Sequence, residues 1–208
     1  QRPGQPEQRG GPPKPETPYI LVTTFNSPDR KLGVEAADEV RRRIQGEYSA
    51  KDLFVVPKNN INSTLEASGY RPDSALNASD LMELSKQLHG QYVIDGTATR
   101  AGDRVRFETR ILMRTGTQTL GQPLPVAEAQ DAGDAAKSVE KSLSEALKGM
   151  PAYDKCIASL RAAKNDEAIT NARAGIAAYP NSTLSRICLM NAFLNKKEAP
   201  DSIINVAN

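Results

Sequence analysis

Apolar positions change their period along this chain, and the changes mark out its elements. Residues 1–18 have almost no apolar side chain. At Tyr19 the run YILVTTF begins, a continuous apolar and β-branched stretch of the kind found in a strand buried on both faces. Val34, Ala37, Val40, Ile44 and Tyr48 then recur at three- and four-residue steps, with Glu35, Asp38, Glu39, Arg41, Arg42 and Arg43 mostly on the other side. That is an amphipathic helix, and Asp29 near its start suits the helix dipole. Leu53 to Val56 is a short second strand, stopped by Pro57.

A polar segment follows, with a short helix expected around Ile61 to Ala67. Ser79 is expected to cap the next helix, whose stripe is Leu81, Leu84 and Leu88 and whose end falls at Gly90. Tyr92 to Ile94 makes a strand, and Ala101-Gly102-Asp103 a turn. Beyond it, Val105, Phe107, Thr109 and Ile111 alternate with Arg104, Arg106, Glu108 and Arg110, the pattern of an antiparallel strand with one wet face. Thr115-Gly116 turns into a last strand from Thr119 to Ala127, which Pro123 and Pro125 confine to an edge. Asp134 is expected to cap a closing helix presenting Val139, Leu143, Ala146 and Leu147, and Pro151 to break the chain after it.

The fold class is therefore α+β: a mixed sheet with helices packed mainly on one face, followed by an all-α helical-hairpin segment. The expected organisation is a disordered Pro-rich tether over residues 1–18, an α/β domain over 19–149, and repeats over 150–208.

The stretch Leu84, Leu88, Gly90, Tyr92-Val93-Ile94, Gly96, Arg100, Gly102-Asp103-Arg104-Val105-Arg106, Leu112, Thr115-Gly116 and Leu120 resembles the TolB N-terminal-like domain. FlgO-like proteins carry that domain, and the CsgG and LpoB envelope proteins have similar folds. Members often carry a Trp after the position of Leu120, where this chain has Gly121. The resemblance implies a non-enzymatic domain used for protein contacts, frequently in the bacterial envelope, with no catalytic residues to transfer.

After Pro151, Ala168, Gly175 and Pro180 have the spacing of the small, small and proline positions of a tetratricopeptide repeat. Asp166-Glu167-Ala168-Ile169 reads as the start of a second helix. A shift by the repeat period of about 34 residues moves Ala168 to Ser202 and Cys156 to Met190, so a second unit follows in the same frame. In that register Asn208 falls inside an incomplete second unit, and the sequence reads as part of a longer protein. The first helix of each unit normally lines the concave, ligand-binding face. The candidate protein-binding residues are accordingly Tyr153, Ile157 and Arg161 from the first unit, and Ile187, Asn191 and Asn195 from the second. Arg161 and Asn191 suit a peptide's carboxylate and carbonyl groups.

Composition narrows the function. The net charge is +2 with no strongly basic segment, Trp is absent and aromatics make up 5%, so nucleic-acid binding has neither an electrostatic footprint nor stacking platforms. No apolar run is long enough to cross a bilayer. A Gln at position 1 before a Pro-rich stretch fits a mature exported protein, which points to a periplasmic or envelope location with the cytoplasm as the alternative. Cys156 and Cys188 match no zinc or redox spacing; they read as two buried small side chains or as a disulfide between neighbouring helices. His89, the sole histidine, reads as a helix-end residue, and Asp95 as a turn carboxylate without a visible partner. The Arg41-Arg42-Arg43 run reads as a solvated helix end. Nucleophile elbows, P-loops, dinucleotide fingerprints and zincin motifs are missing from the sequence, so no enzyme activity, metal or cofactor is expected. The expected function is a non-enzymatic protein-binding or scaffolding module of a bacterial envelope-associated protein, with other proteins or peptides as partners in a larger complex. The alternative is a regulatory region of a larger signalling protein or cyclase-type enzyme.

Overall fold

The computed structural model describes residues 8–115 and 118–196, with the backbone alone at 114, 115 and 118. The Thr115-Gly116 turn and the second helix of the second expected repeat fall wholly or partly outside this range. The chain divides into two compact units, residues 1–141 and 142–208.

The first unit contains β1 (Tyr19–Val22), α1 (Arg30–Glu47), β2 (Phe54–Val55), α2 (Lys58–Ala67), α3 (Ala78–Gln87), β3 (Tyr92–Ala101), β4 (Arg104–Thr115), β5 (Gln118–Pro123), β6 (Ala127–Ala129) and the start of α4 (Ala132–Arg161). The sheet order is β2-β1-β3-β4-β5, with β6 also paired to β4. β1 runs parallel to β2 and to β3, while β3, β4 and β5 are antiparallel. The α+β class and the mixed sheet are as the periodicity implies.

The connections add a refinement. α1 carries the chain outward from β1 to β2, and α2 with α3 carry it back past β1 to β3. Right-handed crossovers in opposite directions place these helices on opposite faces of the parallel strands. Leu21, Val93 and Leu112 pack with Ile61, Leu65, Leu81, Met82 and Leu84 of α2 and α3. Ile20, Val22 and Ile94 alternate to the other face and are fully buried too, as are Ala36, Val40 and Ile44 of α1. The hairpin end of the sheet has a wet face, where Arg104, Glu108 and Arg110 are exposed while Val105, Phe107, Thr109 and Ile111 are buried. Phe107 meets Phe25 edge-on, with ring centroids 5.9 Å apart.

Several local expectations are corrected. The cap of α3 is Asn77, whose side chain accepts from the Asp80 N–H, and not Ser79. α4 is capped by Asp131, which accepts from the Asp134 N–H at 2.9 Å; Asp134 lies in the first turn. After α3 the left-handed residue is His89 (φ 55°), and Gly90 instead admits close packing, since a Cβ there would lie 2.3 Å from Leu21 Cδ1. The last strand is two, β5 and β6, separated around Pro125 and both bonded to β4. Arg41 is no solvated helix end: it is 3% exposed, and its guanidinium donates to the Val22 carbonyl and to Asp38, each at 2.5 Å. Burial lowers its pKa, and Asp38 opposes that shift. Lys58 joins Asp38 to Asp73 at 2.8 and 3.1 Å, tying α1 to the segment around α2.

The free tether expected over residues 1–18 is corrected from Gln8 onward. Gln8, Arg9 and Thr17 hydrogen-bond the segment between α1 and β2, and Thr17 is buried.

The second unit holds most of α4, then α5 (Asn165–Ala178) and α6 (Thr183–Lys196). Pro151 does not break the chain: it lies inside α4. An interior proline costs a helix about 3 kcal/mol or more. Here Pro151 itself is exposed, and buried Met150, Tyr153 and Cys156 anchor the helix on both sides of it. α5 starts at the turn before Asp166-Glu167, as the repeat pattern implies. Its packing face is made of small residues, Ala168, Ala172 and Gly175. A Cβ on Gly175 would lie 2.3 Å from Ser185 Oγ on α6, and one on Gly149 of α4 would lie 3.1 Å from the Gly175 carbonyl.

Candidate functional site

Each unit contributes one candidate surface. In the second unit it follows from the cysteines. They are bonded to each other, Cys156 of α4 to Cys188 of α6, with Cα atoms 6.5 Å apart; of the two readings left open by sequence, the covalent one holds. The bridge joins the two helices, and Ile157 and Ile187 are the sequence neighbours of the bonded cysteines.

Tyr153, Ile157 and Arg161 fall at four-residue steps on α4, and Ile187, Asn191 and Asn195 at four-residue steps on α6, so each trio shares one face of its helix. Their accessibilities differ. Tyr153 is 1% exposed, which corrects its placement on a binding surface: three residues before Cys156, it belongs to the buried stripe of α4. Ile157 and Ile187 are half-buried, and Arg161, Asn191 and Asn195 are exposed. Asn195 Nδ2 lies 3.5 Å from Asn165 Oδ1, and Lys196 binds Asp166 at 2.8 Å, so the end of α6 is attached to the start of α5. Beside this row Leu194 is 51% exposed, a large apolar side chain in water. Two half-buried isoleucines, an exposed leucine, a guanidinium and a carboxamide are thus distributed along the two helices.

In the first unit a cleft of about 540 Å³ lies at the carboxyl end of β1, beside β3 and the N-terminus of α3. This is where the crossover direction reverses, the place where open α/β sheets commonly hold ligands. Asn26, Asn77, Asp95, Thr97, Glu108 and Arg110 line it. Asp95 is not the isolated turn carboxylate expected. It lies within β3 opposite Arg110, whose Nε and Nη2 both donate to Asp95 Oδ2, at 3.1 and 2.7 Å. The signal for this pair was the hairpin itself: counting back equally from the Gly102-Asp103 turn places Asp95 opposite Arg110. The arrangement offers paired charges and amide groups for recognition.

No family model matches the chain, and no curated protein matches its sequence. Solved structures of bacterial envelope proteins are similar to it. The C-terminal domain of LpoB from Salmonella enterica aligns with a TM-score of 0.41 at 13% identity, covering 55% of this chain and 83% of that one. The LpoB C-terminal domain from Escherichia coli gives 0.38 at 11% identity, over 52% of this chain and 82% of the other. Lipoprotein GNA1162 from Neisseria meningitidis gives 0.38 at 19% identity, over 53% and 77%. Each likeness is one of fold and spans little more than half of this chain. Among the described residues, no helix is long and apolar enough to cross a membrane.

Proposed function

We propose that the chain is a protein-binding module of a bacterial envelope-associated protein, in which a TolB N-terminal-like domain precedes tetratricopeptide-type helical hairpins. The observation that carries this reading is the bridged helix pair, with Ile157, Arg161, Ile187, Asn191 and Leu194 along it. A disulfide between neighbouring helices belongs to an oxidising compartment, which agrees with the exported, envelope side of the reading. The spacing of Ala168, Gly175 and Pro180, the close approach at Gly175 and the start of α5 agree with the repeat assignment.

The test is affinity purification of the full-length protein from its native cells, beside a variant carrying Arg161→Glu and Asn191→Ala. A protein partner should co-purify with the wild type and be depleted with the variant, both being exposed surface changes that leave the fold intact. If no protein co-purifies with the wild type, the binding-module reading fails. If a partner binds both equally, the binding surface is not on these helices. Thiol labelling of denatured protein taken from intact cells checks the compartment, with Cys156 and Cys188 expected to be unreactive until reduced.

A further inference from the structure

The cleft of the first unit has a floor set by the pairing of three strands. Asn26, just past β1, is bridged in parallel to Thr97 of β3, and Thr97 is paired with Glu108 of β4. Two residues along, Asp95 is paired with Arg110. Paired residues share a face of a sheet, so these five side chains stand in two rows on one face. Neighbours within a row are about 5 Å apart, and the rows about 7 Å. At about 540 Å³ the cleft is of a size to hold a ligand of one or two rings, which touches both rows. Leu76, before α3, and Pro123 of β5 add apolar surface to the lining.

The charges of this floor are already answered within the protein. Arg110 donates twice to Asp95 Oδ2, and Glu108 accepts from Arg106 Nε at 3.0 Å. The N-terminus of α3 is capped, with both polar atoms of the Asn77 side chain engaged with Asp80. No unanswered charge is left to select an anion or a cation. Among the described residues, no hydrogen bond occupies the Asn26 carboxamide, the Thr97 hydroxyl, Asp95 Oδ1 or Arg110 Nη1. Free donors and free acceptors therefore stand side by side. A carboxylate only accepts and an ammonium only donates, whereas a hydroxyl does both. A ring bearing several hydroxyls, polar at its edge and apolar on its C–H faces, matches both the rows and the apolar part of the lining.

We infer that this cleft binds a saccharide unit, with its hydroxyls on the two rows and a C–H face of the ring against Leu76 and Pro123. The site lies within the first unit and does not depend on the α4–α6 surface, so either can fail alone.

The experiment titrates the ¹⁵N-labelled full chain with cellobiose, maltose and diacetylchitobiose at millimolar concentrations. At least one should shift the amide resonances of Gly96, Thr97 and Arg110. Its Kd should be insensitive to added sodium chloride, because the ligand is uncharged. Thr97→Val removes one hydroxyl at nearly constant shape and should weaken binding about fivefold, and Asn26→Ala should do the same. Both side chains are exposed, so the rest of the spectrum should be unchanged and will show that the variants fold. Lysine, spermidine and inorganic phosphate serve as charged probes. If none of the sugars shifts these resonances, or both variants bind as the wild type does, the inference is overturned. It is also overturned if a charged probe shifts the cleft resonances and the sugars do not.

Discussion

The two units are held together by different means. Around β1 the sheet unit buries large branched side chains on both faces: Ile20, Leu21 and Val22 are all fully buried, with Ile44, Leu81 and Ile111 among the largest side chains packed there. Large apolar groups removed from water supply most of the folding free energy of such a core. Where its helices meet, the helical unit brings alanine, glycine and serine together, at Gly149, Ala168, Ala172, Gly175 and Ser185, and adds the Cys156–Cys188 bridge. Small residues allow close backbone approach at these contacts, beside larger buried side chains such as Tyr153 and Leu184, and the cross-link adds to what both supply. A site of large side chains fails by losing volume, whereas a close contact of small ones fails by gaining it.

That contrast can be broken at named positions. The largest effect is expected from Leu21→Ala, which leaves a cavity among Leu81, Val93 and Leu112 and should cost about 2–5 kcal/mol in urea unfolding. Next is the bridge. Cys156→Ser with Cys188→Ser should cost about 2–4 kcal/mol, with loss of hydrogen-exchange protection concentrated in α5 and α6; an equal loss in β1 and β3 would contradict the division of labour. Gly175→Ala puts a methyl group against Ser185 Oγ and should cost about 1–3 kcal/mol, an enlargement harmful here in the way a truncation is harmful in the sheet. Adding Ser185→Ala should restore part of the loss, and no rescue would show that the clash lies elsewhere.

Smaller effects refine the picture. The Asp95–Arg110 pair has Arg110 side chain 48% exposed, so a double-mutant cycle should give at most about 1 kcal/mol, falling with added salt. Thr109 Oγ1 in the sheet unit and Tyr179 Oη in the helical unit are buried without a hydrogen-bond partner. Burial, and secondarily the charge of Glu145, push the Tyr179 pKa up, which keeps its hydroxyl neutral. Thr109→Val and Tyr179→Phe each remove an unsatisfied group at little change of shape, and both should be neutral or slightly stabilising by thermal melting. A loss above about 1 kcal/mol in either would mean the hydroxyl has a partner.

The strongest local periodicities were legible in the sequence. The three- and four-residue steps of α1, the alternation of Val105, Phe107, Thr109 and Ile111, and the Asp166-Glu167 start of α5 need only local geometry, because a side chain's face follows from its backbone period. Caps were less legible. Ser79 and Asn77 are both competent, and the position at which the chain enters the helix, set by the segment before it, selected Asn77. The Asp95–Arg110 pair lay midway, readable from the turn by counting though not from either residue alone.

By itself the sequence determined the α+β class, the alternating hairpin, the start of α5 and the absence of a basic field, all properties of neighbours along the chain. The tertiary structure alone decided the continuity of α4 through Pro151, the bond between Cys156 and Cys188, the burial of Tyr153 and Arg41, and the seating of Gln8 on β2. Each of these depends on a group far away in sequence, whose position is set by packing and which no local period reports. The proline sits in a helix whose buried side chains lie on either side of it, two thiols bond only when the fold brings their Cα atoms within reach, and the Gln8 carboxamide meets the Leu53 carbonyl and the Val55 N–H only because the chain folds back on itself there.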